Sequence, residues 1–96
     1  MFESAIEKKI NKLIKDLGGK AYKWVSPGAA GVPDRICVLP GGKIVFIEAK
    51  RPDVSDGLSL RQKKEALRLR KLGHVVLRVN DVEELKLELR GLGYEV

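Results

Sequence analysis

Apolar residues recur along this chain in runs whose spacing alternates between a helical and an extended pattern. Near the start, apolar residues at positions 6, 10, 13, 14 and 17 repeat at helical spacing and stop at Gly18-Gly19, which predicts an amphipathic helix over residues 3–17. Further on, two apolar runs at residues 36–39 and 44–47 flank a Pro-Gly-Gly turn, which predicts a β hairpin.

The rest of the chain continues this alternation. The other predicted elements are strands at residues 20–25 and 75–79 and helices at about 60–72 and at 82–89. Ser59 is the predicted cap of the second helix, and Asn80 or Asp81 that of the third. The order helix, three strands, helix, strand, helix predicts a small α/β fold with a central mixed sheet flanked by helices. At 96 residues, we expect a single domain over residues 1–96.

The predicted hairpin carries charge at one end. Glu48 and Lys50 are two residues apart, so on a strand they project from one face while Ala49 points into the core. Antiparallel pairing would bring Asp34 beside them. Charge at the end of a buried strand pair is costly unless it binds something, and hard oxygen ligands suit Mg²⁺ or Mn²⁺. The pattern predicts a metal site, with a surface salt-bridge cluster as the alternative.

Composition narrows the class of partner. The chain has 19 Lys and Arg against 13 Asp and Glu, giving a formal charge of +6, which favours a polyanion over an acidic small molecule. Its one cysteine, Cys37, falls in an apolar strand, so we expect a buried core residue, no disulfide framework and a cytoplasmic protein. No stretch predicts a secretory signal or a membrane span.

Two segments near the charged end favour binding of a phosphate backbone. The helix at 60–72 has a densely basic face, interpreted as a phosphate-binding surface although a solvated face is the alternative. The uncharged loop at 26–31 leads directly into Asp34, and its small residues would let a phosphate come close, with Ser26 as a possible contact; a plain connector is the alternative reading.

Several motifs together resemble a known nuclease family. Pro33-Asp34, followed after thirteen residues by Glu48-Ala49-Lys50, resembles the PD-(D/E)xK signature. The surrounding matches are Ser26-Pro27-Gly28, Gly31-Val32-Pro33-Asp34-Arg35, the Pro-Gly-Gly turn, Ile47-Glu48-Ala49-Lys50-Arg51-Pro52, Ser59, Gln62 and Leu72-Gly73. Over nearly the whole chain these are similar to the VRR-NUC branch, above all to its small stand-alone members, which in turn resemble Holliday junction resolvases.

The resemblance implies a PD-(D/E)xK nuclease fold and metal-dependent hydrolysis of DNA. Asp34, Glu48, the Ala49 carbonyl and Glu7 would hold Mg²⁺ or Mn²⁺, with Glu3 as the alternative to Glu7. Lys50 would position or deprotonate the attacking water. Gln62 would hydrogen-bond near the metal, unless it serves as a helix cap. The residues expected to contact DNA are Ser26, Arg35, Arg51, Arg61, Lys64 and Arg68.

The implied function is a structure-selective DNA endonuclease, most simply a homodimeric Holliday junction resolvase, with Trp24, Tyr22 and Phe2 as apolar material for the interface. Flapped, nicked or ordinary duplex DNA is the alternative substrate. Two other classes are a non-catalytic nucleic-acid-binding protein, which leaves the convergence of charge unexplained, and a structural or regulatory dimer, which leaves the basic helix unexplained.

Overall fold

The structure, a computed structural model, describes residues 4–50 and 58–96. The predicted order of helices and strands is confirmed over this part of the chain. The elements are α1 (Ala5–Asp16), β1 (Lys20–Lys23), β2 (Arg35–Leu39), β3 (Lys43–Ala49), α2 (Leu60–Lys71), β4 (Val75–Val79) and α3 (Val82–Gly91). The longest described helices have 12 residues, and none is both long and apolar enough to cross a membrane.

Local chemistry sets the boundaries of these elements. Ser59 caps α2 as predicted, and Asp81 rather than Asn80 caps α3 by accepting a hydrogen bond from a backbone N–H of the first turn. Strand β1 is two residues shorter than predicted. Its ladder does not continue past Trp24, because the next pair would place Val25 opposite Pro33, which has no N–H to donate.

One four-stranded sheet, in the order β1-β2-β3-β4, organises the fold. The first three strands are antiparallel neighbours, and the β2–β3 hairpin turns through Gly41 and Gly42, whose φ angles of +87° and +76° suit glycine. Strand β4 pairs parallel to β3, with Glu48 beside Arg78 and Ala49 beside Val79. The sheet is therefore mixed, as predicted.

Helices cover both faces of the sheet. Helices α1 and α3 pack on the face formed by the odd-numbered residues of β2, β3 and β4, where Ile10, Ile14, Leu85 and Leu89 are fully buried. Cys37 belongs to this core, as predicted, and burial raises the pKa of its thiol to about 12. Helix α2 covers the other face, where its residues Ala66 and Leu69 pack with Phe46 of β3 and Val76 of β4.

Trp24 belongs to the smaller α2-side core. Its ring centroid lies 5.3 Å from that of Phe46. Trp24, named above as apolar material for a subunit interface, therefore packs within the chain. Phe2 lies outside the described residues. Tyr22 remains 53% exposed on β1.

The topology places the amino-terminal ends of all three helices at the same end of the sheet. Helices α1 and α2 each lead into a strand that starts at the opposite end of the sheet, and α3 follows a strand that finishes at this end. Contacts of the first turns of the helices with nearby strand ends and loops confirm the arrangement. Those contacts are Glu7 with Arg35, Gln62 with Gly31, and Glu84 with Lys50. This end of the sheet is also where Asp34 precedes β2 and where β3 and β4 finish.

Candidate active site

Asp34 and Glu48 lie opposite each other at this end of the β2–β3 hairpin. The last ladder pair joins Arg35 to Ile47, and the next position along the register pairs Asp34 with Glu48. Both side chains point to the α2 face of the sheet. Asp34 Oδ2 accepts a hydrogen bond of 2.8 Å from the Ala49 N–H, which fixes one of its oxygens against the end of β3.

Glu48 is the most unusual polar group of the described structure. Its side chain is fully buried, yet neither carboxylate oxygen has a hydrogen-bond partner among the described residues. Burial, and secondarily the charge of Asp34, raise the pKa of Glu48 from an ordinary 4.5 to about 7, against the opposing effect of Arg70 and Arg78. A buried carboxylate without a partner is costly to the fold, and a bound cation would supply the missing interactions.

The Ala49 carbonyl lies on the same side as Asp34. The Lys50 N–H donates to the Val79 carbonyl of β4, and the peptide between Ala49 and Lys50 is trans, so the Ala49 carbonyl points away from β4. Three oxygen-bearing groups, from Asp34, Glu48 and Ala49, therefore converge on the end of β3. These are the hard donors that Mg²⁺ and Mn²⁺ prefer.

The described residues do not form a cluster of three acidic, histidine or cysteine side chains that could hold a metal. Two carboxylates with a carbonyl still fit Mg²⁺, which usually takes one or two carboxylates and completes its octahedron with water and substrate phosphate. The unpartnered oxygens of Glu48 support this fit.

Glu7, predicted to share the metal, is directed elsewhere. Its Oε2 pairs with Arg35 Nη2 at 2.9 Å, on the α1 side of the sheet, and its Oε1 accepts from the Ser4 hydroxyl at 3.1 Å. The predicted group of Glu7 with Asp34 and Glu48 is not brought together. A contribution of Glu7 through water stays a prediction, and Glu3 lies outside the described residues.

Arg35 requires a correction. Its side chain is 1% exposed, because it enters the core beneath α1 and pairs with Glu7. The expectation that Arg35 contacts DNA is therefore wrong for this structure. Arg35 instead contacts the backbone of the site, since its Nη1 donates a hydrogen bond of 3.4 Å to the carbonyl of Asp34.

Lys50 follows β3 and is about one-quarter exposed. Its Nζ lies 3.6 Å from Oε1 of Glu84 in the first turn of α3. The other oxygen of Glu84 accepts from the Asn80 N–H at 2.8 Å, so the carboxylate is held in place. The amino-acid pattern alone does not place Glu84 near Lys50. The parallel register of β3 and β4, which that pattern does not specify, is the signal that would have done so.

The start of α2 closes the site on the β2 side. Gln62 forms a reciprocal capping box with Ser59: its Oε1 accepts from the Ser59 N–H at 2.9 Å, and its N–H donates to the Ser59 hydroxyl at 3.3 Å. The capping alternative for Gln62 is thus observed. Gly31, with φ of +83°, approaches the same turn so closely that a Cβ would lie 2.6 Å from Arg61 backbone atoms. This contact anchors the loop that contains the half-buried Ser26.

The outer face of α2 is basic and exposed. Lys64, Arg68 and Lys71 line a shallow groove with Leu67 and Leu72. Arg61, in the first turn, extends the same surface towards the site. Helix α2 thus brings together three of the predicted DNA-contacting residues, whereas Arg51 lies outside the described residues.

Comparisons with known proteins agree with this fold and indicate a family. No family model matches the chain. A curated protein of Acyrthosiphon pisum secondary endosymbiont phage 1, named "Putative nuclease p44", is 46% identical over 83 residues, which are 86% of this chain and 86% of that protein. A solved structure described as "VRR_NUC domain" superposes with a TM-score of 0.79 at 29% identity, covering 93% of this chain and 94% of the other. The resemblance read from the Asp34, Glu48 and Lys50 motifs is thereby confirmed, and the chain belongs to the VRR-NUC nucleases.

Proposed function

We propose that this protein is a divalent-cation-dependent, structure-selective DNA endonuclease of the Holliday junction resolvase type. The observation that carries the cation dependence is the buried Glu48 carboxylate, which lies opposite Asp34 without a hydrogen-bond partner among the described residues. Flap, nick or general duplex cleavage is the alternative activity within the same chemistry.

Asp34, Glu48 and the Ala49 carbonyl would hold one or two Mg²⁺ or Mn²⁺ ions. When bound, the cation supplies Lewis-acid polarisation of the scissile phosphate and stabilises the leaving oxygen. Lys50 Nζ positions the attacking water or takes its proton. Glu84 pairs with that nitrogen, and the carboxylate of Glu84 is itself fixed by the Asn80 N–H.

The basic face of α2 would bind the phosphate backbone of DNA. Helix α2 packs on the sheet face to which Asp34 and Glu48 point, and its first turn adjoins the loop before Asp34. DNA lying along Arg61, Lys64 and Arg68 would therefore lead its backbone to the carboxylates. Ser26 lies on the loop held by that turn and would add a further phosphate contact.

A homodimer would supply the two active sites that symmetric junction cleavage needs. An exposed apolar patch supports this assembly. It lies on the same face of the sheet as α2, outside the area that the helix covers. The patch consists of Tyr22, Val38 and Ile44 on three neighbouring strands, each between 41% and 53% exposed. Val38 and Ile44 lie towards the end of the sheet opposite the carboxylates, so an interface centred on these two residues would leave both active sites open.

Replacing Asp34 by Asn, Glu48 by Gln or Lys50 by Ala should lower Mg²⁺-dependent cleavage of labelled DNA roughly 100-fold or more while the fold is retained, because each variant removes a reacting group and not a core contact. DNA binding should persist and tighten slightly in the two carboxylate variants, since a negative charge near phosphate is removed. The matched controls are Asp16→Asn, Glu88→Gln and Lys86→Ala, which should cleave normally. Full activity of Asp34→Asn would defeat the assignment and favour a non-catalytic binding protein.

Stability of the metal-free protein should fall with rising pH because of Glu48. Its folded pKa of about 7 exceeds the ordinary value of 4.5, so the stabilising contribution of the protonated form is present at low pH and is lost as the pH rises through 7. Relative to wild type, Glu48→Gln should gain stability between pH 5 and pH 8, by on the order of 2–3 kcal/mol in the free energy of unfolding.

Denaturant unfolding across that pH range measures this difference, with the exposed Glu88→Gln as the control. Addition of Mn²⁺ at pH 8 should stabilise the wild type and leave Glu48→Gln nearly unchanged. Parallel pH profiles for wild type and Glu48→Gln would show that the carboxylate is not held in an unfavourable environment.

Reversing Arg61, Lys64 and Arg68 to Glu should weaken DNA binding across all sequences, because phosphate contacts carry no base code. The slope of log affinity against log salt should become shallower by roughly 2 to 3 units, since each lost phosphate contact contributes about 0.9. A matched control reverses Lys9, Lys12 and Lys86, which line a groove on the α1–α3 side. If both triple variants bound DNA equally, α2 would not be the binding face.

Light scattering should report twice the mass of one chain, and four-way junctions should be cut at paired, symmetric positions in preference to linear duplex of the same sequence. Ile44→Lys should produce monomers, because it places charge in the apolar patch, whereas Leu87→Lys on the exposed side of α3 should not. A wild-type monomer that cuts linear duplex as well as junctions would leave the metal chemistry in place and reject the resolvase assignment.

A further inference from the structure

Arg78 lies beside Glu48, one of the two carboxylates proposed to bind metal. It belongs to none of the sequence motifs described above. It is the fourth residue of β4, and the parallel register pairs it with Glu48 on β3. Paired residues of neighbouring strands project from the same face, and the strands lie ~4.8 Å apart. Arg78 therefore points to the same side of the sheet as Glu48, but it is exposed whereas Glu48 is buried.

The guanidinium of Arg78 has no hydrogen bond or ion pair within the described structure, unlike other cations nearby. Arg35 pairs with Glu7, Lys50 pairs with Glu84, and Arg70 donates to the Val76 carbonyl at 2.7 Å. Arg78 does not pair with Glu48 although its charge acts on that carboxylate. A cation held next to a carboxylate site but not paired with it is available to an anionic ligand.

The order of the strands shows where such a ligand would lie. Asp34 and Glu48 come from the two central strands, β2 and β3. The loop at 26–31 lies on the β1–β2 side, where Gly31 contacts α2, and β4 forms the opposite edge. Arg78 thus places a positive charge at the edge of the site on the side away from that loop.

We propose that Arg78 binds a non-bridging oxygen of a phosphate in the cleaved strand, immediately beside the scissile phosphodiester. This inference rests on the proposed function. The planar guanidinium can donate two parallel hydrogen bonds to one phosphate, which fixes both the position and the direction of the backbone across the carboxylates. Arg78 is in this sense a substrate-binding residue at the β4 edge, separate from the basic face of α2.

The first test compares Arg78→Gln, Arg78→Lys and the control Arg90→Gln in single-turnover cleavage and in DNA binding. Arg90 is an exposed arginine of α3 on the other side of the sheet, so its variant removes the same charge at a distance. Arg78→Gln should lose about 10- to 100-fold in cleavage efficiency, the range of one charge-assisted hydrogen bond. Arg78→Lys should recover part of it. Equal behaviour of Arg78→Gln and Arg90→Gln would overturn the inference.

The second test locates the contact with DNA that carries one neutral methylphosphonate at each position around the cut. Binding is measured in a Glu48→Gln background, so that the readout does not depend on cleavage. A methylphosphonate at the contacted phosphate should weaken DNA binding by the Glu48→Gln protein, which retains Arg78. It should have no further effect on DNA binding by the double variant Glu48→Gln, Arg78→Gln. Additive losses at every phosphate would show that Arg78 touches none of them.

Cleavage at saturating Mn²⁺ distinguishes a contact with phosphate from an effect on the metal ligands. The charge of Arg78 acts on Glu48, so its removal is expected to change the Mn²⁺ concentration needed, but the loss of cleavage should persist at saturating Mn²⁺ if the arginine acts on DNA. A loss of cleavage that saturating Mn²⁺ abolishes, with unchanged DNA binding, would overturn the inference and leave the proposed nuclease function intact. Full cleavage by Glu48→Gln would instead defeat the proposed function itself, so the two failures are distinguishable.

Discussion

The buried carboxylate of Glu48 is the constraint on which the site depends. Ladder pairing on both sides of β3 fixes the backbone at this residue, so its side chain must enter the space beneath α2. There it has no hydrogen-bond donor among the described residues. Burying this carboxylate lowers the free energy of unfolding. Such a destabilised ionisable group is typical of a functional site, here the proposed cation site.

The rest of the fold supports that one position. The hairpin places Asp34 across from Glu48, and the Ala49 N–H fixes its carboxylate. The antiparallel pairing of β1 with β2 and the parallel pairing of β4 with β3 place the starts of all three helices at the same end of the sheet. Their first turns supply Glu7, Gln62 and Glu84 as supports. Glu7 pairs with Arg35, Gln62 caps its own helix through Ser59, and Glu84 pairs with Lys50.

Much of this architecture follows from the amino-acid pattern, because helix and strand periods and the Gly-rich turns are local signals. The facing of Asp34 and Glu48 followed from the hairpin alone. The pairing of Glu7 with Arg35 and of Lys50 with Glu84 could not be predicted in the same way, since each depends on how a helix crosses the sheet. Arg35 illustrates the limit: its place in the motif indicated a DNA contact, and only the inward direction of its side chain shows that it supports the core.

The direct test of a cation site at the end of β3 is a crystal structure of the protein grown with Mn²⁺, with anomalous scattering used to locate the ion. An anomalous peak is expected ~2.2 Å from oxygens of both Asp34 and Glu48, the distance typical of such ligands. A map in which Mn²⁺ is absent from this position, with Glu48 still lacking any partner, would contradict it.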